Sequence, residues 1–253
     1  MTNPNIEALA ARLDAATRTA NSIAQLTLSH TLTLEDAYAV QRAGIAARVA
    51  RGDGVVGVKL GLTSRAKAIQ MGVTEVIAGV LTESMRIADG GTVAVGPMIH
   101  PRVEPEVAFR LDAAGAAIEV APALEIIDSR YRDFKFRLAD VVADNTSAAR
   151  FAVGAWRPLA DVPDLADLET IMAIDGVVAE TGSTADILGH PLRAIETVQR
   201  LSRTHGLPLI PGAIVLAGAA TAAVPLPIVP LSNVTVSVTG LGRVAITIGA
   251  TDD

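Results

Sequence analysis

The amino-acid sequence predicts an α+β fold, with a helical N-terminal part over residues 1–53 and a mixed β body over residues 54–253. Three observations carry this. Apolar residues recur at intervals of three and four before residue 53, the period of an amphipathic helix. After Gly54 that period gives way to short Val- and Ile-rich runs separated by Gly, Pro and Asp. Few helical stretches alternate with those runs, which disfavours a doubly wound parallel sheet.

Taken in order, Asn5 caps a first helix from Ile6 to about Arg18, with Ile6, Leu9, Ala10, Leu13 and Ala16 on one face. Thr33 precedes a second, with Glu35 and Asp36 in its first turn. Its face is Ala37, Val40, Ala43, Ala46 and Val49, and it stops at Gly52. The run VVGVKLGL reads as a buried strand. Further strands are expected at Thr92 to Val95, Glu104 to Leu111, Ala123 to Ile127, Met172 to Ile174, Ala213 to Leu216, Val234 to Val238 and Arg243 to Ile248. One more helix, from about Pro191 to His205, turns Leu192, Ile195, Val198 and Leu201 inward.

Composition narrows the function. Half of the residues are apolar and only 3% are aromatic, so the core is built from Ala, Val, Ile and Leu, and disorder is excluded. The absence of cysteine removes disulfides, thiolate metal sites and a cysteine nucleophile together. A formal net charge of -6 without a Lys/Arg run argues against nucleic acid as a partner. Residues 206–242 carry no charge, but five prolines divide the stretch, so no spanning helix is expected. The N-terminal segment has amphipathic spacing and acidic residues instead of a basic end and an apolar core, so a cytoplasmic chain is expected.

Glu104 and Glu106 flank Pro105 at the start of a predicted strand, where residues two apart share a face. Paired carboxylates repel, and a shared proton, solvent or a divalent cation offsets the repulsion; a solvated edge-strand pair is the plain alternative. Glu125 lies among Ala123, Leu124, Ile126 and Ile127, a setting in which a glutamate is seldom left unpaired. Three carboxylates without cysteine favour Mg2+ or Mn2+ over zinc. Lys59 sits in an apolar strand between two glycines, and either snorkels from an edge or pairs with a carboxylate or an anionic ligand. Arg130 can hold a substrate carboxylate bidentately or pair with Asp128 or Asp133. Asp144-Asn145 is a loop signal that can bring a hydrogen-bonding group to the site.

The strings GVKLGLTSRAKAIQMGV, HPRVEPEVAF, PALEIIDSRYRDFKF, VVADNTSAARF, LGHPL and TAAVP together resemble the 2-keto-4-pentenoate hydratase and 4-oxalocrotonate decarboxylase family, within the fumarylacetoacetate hydrolase superfamily. The resemblance runs almost from end to end and implies a fumarylacetoacetate hydrolase-like mixed β-roll with a helical N-terminal part. It matches Glu104, Glu106 and Glu125 to the family's metal-binding glutamates and Lys59 to its active-site lysine. It also implies a small 2-oxo acid substrate, a homo-oligomer and a complex with a related hydratase. At the position where hydratases of the family carry an acidic residue this chain has Ile77, as its decarboxylases do, and DSRYRDFKF from Asp128 also resembles their version. The resemblance therefore implies metal-dependent decarboxylation of a 2-oxo-3-enedioate, 2-oxohex-3-enedioate to 2-hydroxypenta-2,4-dienoate plus CO2, in aromatic meta-cleavage catabolism. The alternatives are hydration of that dienoate, or a catalytically idle scaffold subunit. The chain departs from the family in a short segment between Glu106 and Glu125, and in Ala78 and Ala217, which replace an aromatic residue and a threonine.

Overall fold

The computed structural model describes residues 5–64 and 75–249. The 65–73 part of the GVKLGLTSRAKAIQMGV string, and Thr74 after it, lie outside the described residues. Helix α1 (Ile6–Thr19) starts at Asn5, whose side chain accepts from the Ala8 N–H. Helix α2 (Leu34–Ala50) opens with a capping box between Thr33 and Asp36. The buried face of α2 is Ala37, Tyr38, Val40, Gln41 and Ile45, and the expected Val49 is instead exposed near the helix end.

Two sheets follow. The larger runs β2 (Ile77–Thr82), β1 (Val55–Gly61), β11 (Ile214–Ala219), β5 (Arg102–Leu111), β6 (Ala117–Ile127), β7 (Ala148–Val153) and β3 (Arg86–Ile87). Two short strands, β8 (Arg157–Pro158) and β12 (Val224–Pro225), pair with β6 and β5. The smaller sheet runs β10 (Val177–Ser183), β9 (Glu169–Ile174), β13 (Asn233–Val238), β14 (Gly242–Ile248) and β4 (Gly91–Val93). Pairing is mostly antiparallel, with parallel contacts at β1/β11, β3/β7 and β4/β14. Among the described residues the two further α-helices are α3 (Leu138–Ala143) and α4 (Arg193–His205).

The helices and both sheets share one apolar core, from Leu9 and Leu13 on α1 through Val58 and Phe109 to Val236 and Ile246. Expectation and structure part at several strands and at helix ends. Strands β2, β7 and β10 and the short β3, β8 and β12 were not expected, β6 begins six residues earlier than its predicted start, and β9 three residues earlier. Helix α4 begins at Arg193 and leaves Leu192 36% exposed, because Pro191 and Leu192 belong to the preceding turn. Between β5 and β6 the chain needs only a tight turn in which Asp112 Oδ1 accepts from Ala114 N and Ala116 N. Among the described residues no helix is long and apolar enough to cross a membrane.

Candidate functional site

Strands β5 and β6 bring the three glutamates together by register. Glu104 lies directly opposite Glu125, and Glu106 lies opposite Ala123, two residues from Glu125 on the same face. One oxygen from each of the three lies within 4.8 Å of the others, and all three side chains are buried. A bulge shapes the third corner. The β11/β5 register slips between Leu216 and Ala219, and Gly218, at φ 110°, turns its N–H onto Glu106 Oε2 at 2.8 Å. A Cβ at Gly218 would stand 2.1 Å from Thr63 Oγ1, so glycine is required there.

Burial is the main force pushing the Glu106 carboxyl well above its usual range, reinforced by Glu125 and Glu104. Burial also pushes Glu125 up to about 7, against the pull of the Lys59 ammonium. Glu106 Oε1 and Glu125 Oε1 are buried with no hydrogen-bond partner among the described residues. Orphaned carboxylate oxygens at this spacing suit a hard divalent cation, which would complete their coordination and relieve their repulsion.

Lys59 on β1 is 2% exposed and places Nζ 2.7 Å from Glu125 Oε2 and 3.3 Å from the carbonyl oxygen of Thr146. Burial alone lowers a lysine, but the three carboxylates outweigh it and hold this ammonium above its ordinary range. Beside it, Asn145, Thr146 and Ser147 form a turn with φ of 51°, 53° and 56°, three left-handed non-glycine residues in succession. Each costs roughly 1–2 kcal/mol in that region. Thr146 Oγ1 and Ser147 Oγ are buried there without hydrogen-bond partners among the described residues.

These groups open onto a cleft of about 1510 Å³ whose walls include Lys59, Ile77, Glu104, Thr146 and Ser147. Ile77, Val141, Phe134 and Phe136 give it apolar walls, and Lys135, Arg137, Glu180 and Asp186 also line it. Ala78 and Ala217 are fully buried and are not among the lining residues.

Arg130 is not brought to the cleft. Its Nε reaches Asp144 Oδ1, Nη1 donates to the Asp128 carbonyl at 2.5 Å, and Nη2 donates to the Asp144 carbonyl. Its backbone N–H also reaches Asp144 Oδ2, at 3.0 Å. The expected partners, the Asp128 or Asp133 carboxylates and a substrate carboxylate, are displaced by Asp144. The Asp128 carboxylate instead accepts from the N–H groups of Ile99 at 2.9 Å and His100 at 2.8 Å. The left-handed turn after Asp144 escaped sequence reasoning because none of its residues is glycine. The only signal was Asn145, the residue type that best tolerates such a conformation outside glycine.

The model of the fumarylacetoacetate (FAA) hydrolase C-terminal family matches residues 55–249, and the chain belongs to that family. Within it, the chain is 46% identical over 233 residues to a 4-oxalocrotonate decarboxylase of Pseudomonas sp, covering 87% of this chain and 90% of the relative. It is 34% identical to a 2-hydroxyhexa-2,4-dienoate hydratase of Comamonas testosteroni, covering 87% and 89%. The solved structure of the 4-oxalocrotonate decarboxylase from Pseudomonas putida G7, complexed with magnesium and adipate, superimposes with a TM-score of 0.91 at 37% identity, over 98% of each chain.

Proposed function

We propose that this chain is a metal-dependent carbon-carbon lyase that decarboxylates a 2-oxo-3-enedioate, converting 2-oxohex-3-enedioate to 2-hydroxypenta-2,4-dienoate and CO2. The observation that carries the proposal is the buried Glu104, Glu106 and Glu125 cluster, paired to Lys59 and reached from a cleft walled by Ile77. The decarboxylase relatives, and the magnesium in one of their structures, support it.

Glu104, Glu106 and Glu125 would hold Mg2+ or Mn2+. A divalent ion bound there supplies Lewis acidity that polarises the 2-oxo acid end of the substrate. Decarboxylation breaks the bond to the distal carboxylate, and its electron pair passes through the alkene to the 2-oxo oxygen. That oxygen takes a proton, and the other product is CO2. The Lys59 ammonium can donate a hydrogen bond to the oxygen as it gains charge, in a pocket where burial strengthens the interaction. The apolar walls around Ile77, Phe134 and Phe136 favour loss of a hydrated, charged carboxylate as neutral CO2.

The same reading makes the chain cytoplasmic, a homo-oligomer and a partner of a related hydratase. Val177, Ile228 and Leu231, exposed at 71%, 70% and 80%, support self-association. Purified protein with Mg2+ should release CO2 from 2-oxohex-3-enedioate and hydrate 2-hydroxypenta-2,4-dienoate negligibly. Ile77→Asp should slow CO2 release roughly tenfold or more, by placing a second charge beside the departing carboxylate. Faster hydration than CO2 release by the wild type would favour the hydratase reading. No CO2 release alone, with stimulation of a partner hydratase, would favour the scaffold reading.

A further inference from the structure

Strand β2 is the edge of its sheet, with β1 on one side through the Lys59/Gly79 and Val58/Val80 pairs. On its other side the Asn145 side chain takes the place of a neighbouring strand. Its Oδ1 accepts from Val80 N at 2.7 Å, and its Nδ2 donates to Val80 O at 2.9 Å. The amide thus meets both backbone groups of one residue, as a strand would. The seat is tight: a Cβ on Gly79 would come within 2.5 Å of the Asn145 carbonyl oxygen and 3.2 Å of Lys59 Cδ. On the far side, a Cβ on Gly61 would meet Thr146 Cγ2 at 2.7 Å. Two glycines flanking Lys59 therefore let the strained 145–147 turn lie directly against the lysine stem. The next carbonyl, that of Thr146, accepts from Lys59 Nζ.

We propose that Asn145 is a positioning residue for Lys59: its two bonds to Val80 lock the left-handed turn, and the turn aims the Thr146 carbonyl that holds the ammonium beside Glu125. Without the amide, the turn has less to offset its conformational cost and relaxes toward ordinary backbone. The Thr146 oxygen then withdraws, and the ammonium loses one of its two anchors. Asn145 itself is not among the residues that line the cleft or the three clustered carboxylates. The proposal rests on reading Lys59 as catalytic, and the test separates the two.

Asn145→Gly keeps tolerance of the left-handed conformation and removes only the amide. Its kcat should fall about 10- to 100-fold, the scale of a misplaced catalytic group. Mg2+ affinity and KM should stay within about threefold, since no metal or substrate contact is lost. Asn145→Asp, nearly identical in shape, turns the donor to Val80 O into an acceptor and should be at least as impaired, so the proposal stays testable should the glycine variant fold poorly. Because Asn145 acts through Lys59, Asn145→Gly in a Lys59→Met background should cost nothing further. An unchanged kcat in both Asn145 variants beside an inactive Lys59→Met would overturn the positioning role alone. A kcat loss matched by lost Mg2+ affinity, or fully additive with Lys59→Met, would overturn it as well. Wild-type kcat in Lys59→Met would overturn the catalytic reading and this proposal with it.

Discussion

Two clusters of charge are buried in this molecule, and they are built on opposite principles. Around Arg130 each guanidinium nitrogen donates, the Asp144 carboxylate is met by Arg130, and the Asp128 carboxylate by two backbone N–H groups. None of their buried side-chain oxygens and nitrogens lacks a partner. Around Lys59 one ammonium faces three carboxylates, and oxygens of Glu106 and Glu125 are left over. The difference separates architecture from function. A saturated buried network ties β6, α3 and the following turn together and has nothing to offer a ligand. An unsaturated one is expensive to fold and retains binding capacity for something outside the chain.

The sharpest way to break this contrast is to remove one charged group from each cluster: the arginine of the saturated one, and a carboxylate of the other. Arg130→Met should be the most destabilising change, by about 3–5 kcal/mol, because it strands Asp144 as an uncompensated buried charge. Equilibrium denaturation in urea, with and without Mg2+, measures it. The Mg2+-induced gain in stability should survive in whatever fraction folds. A loss below about 1 kcal/mol would mean that Arg130 is not the keystone its contacts describe.

Glu106→Gln should act in the reverse sense. It keeps the shape and an oxygen for the Gly218 N–H but removes one buried negative charge. Metal-free stability should hold or rise, while Mg2+ affinity measured by titration calorimetry should fall about 100-fold, equivalent to about 2.7 kcal/mol. Activity should fall with it, as it should in wild-type protein stripped of metal. Unchanged affinity would return Glu106 to the role of a structural hydrogen-bond acceptor.

How much of this was readable in the sequence follows from the range of the contacts. The capped helices were legible because Asn5 and the Thr33/Asp36 box act within three residues. The strand-period placement of Glu104 and Glu106 on one face was legible for the same reason. Glu125 was visible only as an anomaly, a carboxylate in an apolar run, since its position opposite Glu104 depends on the β5/β6 register. Strand β2 escaped because Ala78 and Gly79 have weak strand propensity, and its edge is closed by a side chain 65 residues away. Arg130 was paired in expectation with the nearest acids, whereas the folded chain supplies Asp144 from the end of α3. Local chemistry was readable, and chemistry completed across the fold was not.

The response to pH sharpens the comparison further because both clusters titrate and only one should answer to metal. Glu125 is raised by burial to about 7 in the folded protein from an ordinary 4.5, and Asp144 to about 6 from 3.8. A raised carboxyl keeps its proton in the native state after the unfolded chain has released it. Each group therefore contributes stability that is fully present below its unfolded pKa and is lost as pH climbs through its folded value. Metal-free protein should thus lose stability steadily from about pH 4 to about pH 7, by no more than roughly 1.4 kcal/mol per pH unit for each group. Mg2+ binds the ionised carboxylates and competes with their protons, so its affinity should rise up to about pH 7. Saturating Mg2+ should cancel the glutamates' share, which overlaps that of Asp144 below pH 6 and is the whole decline between pH 6 and 7, and leave only the share of Asp144 beside Arg130, which ends near pH 6. Thermal unfolding across this range, with and without Mg2+, reads both parts at once. A metal-induced stabilisation that did not grow between pH 5.5 and pH 7.5 would mean that the ion is not held by the buried glutamates.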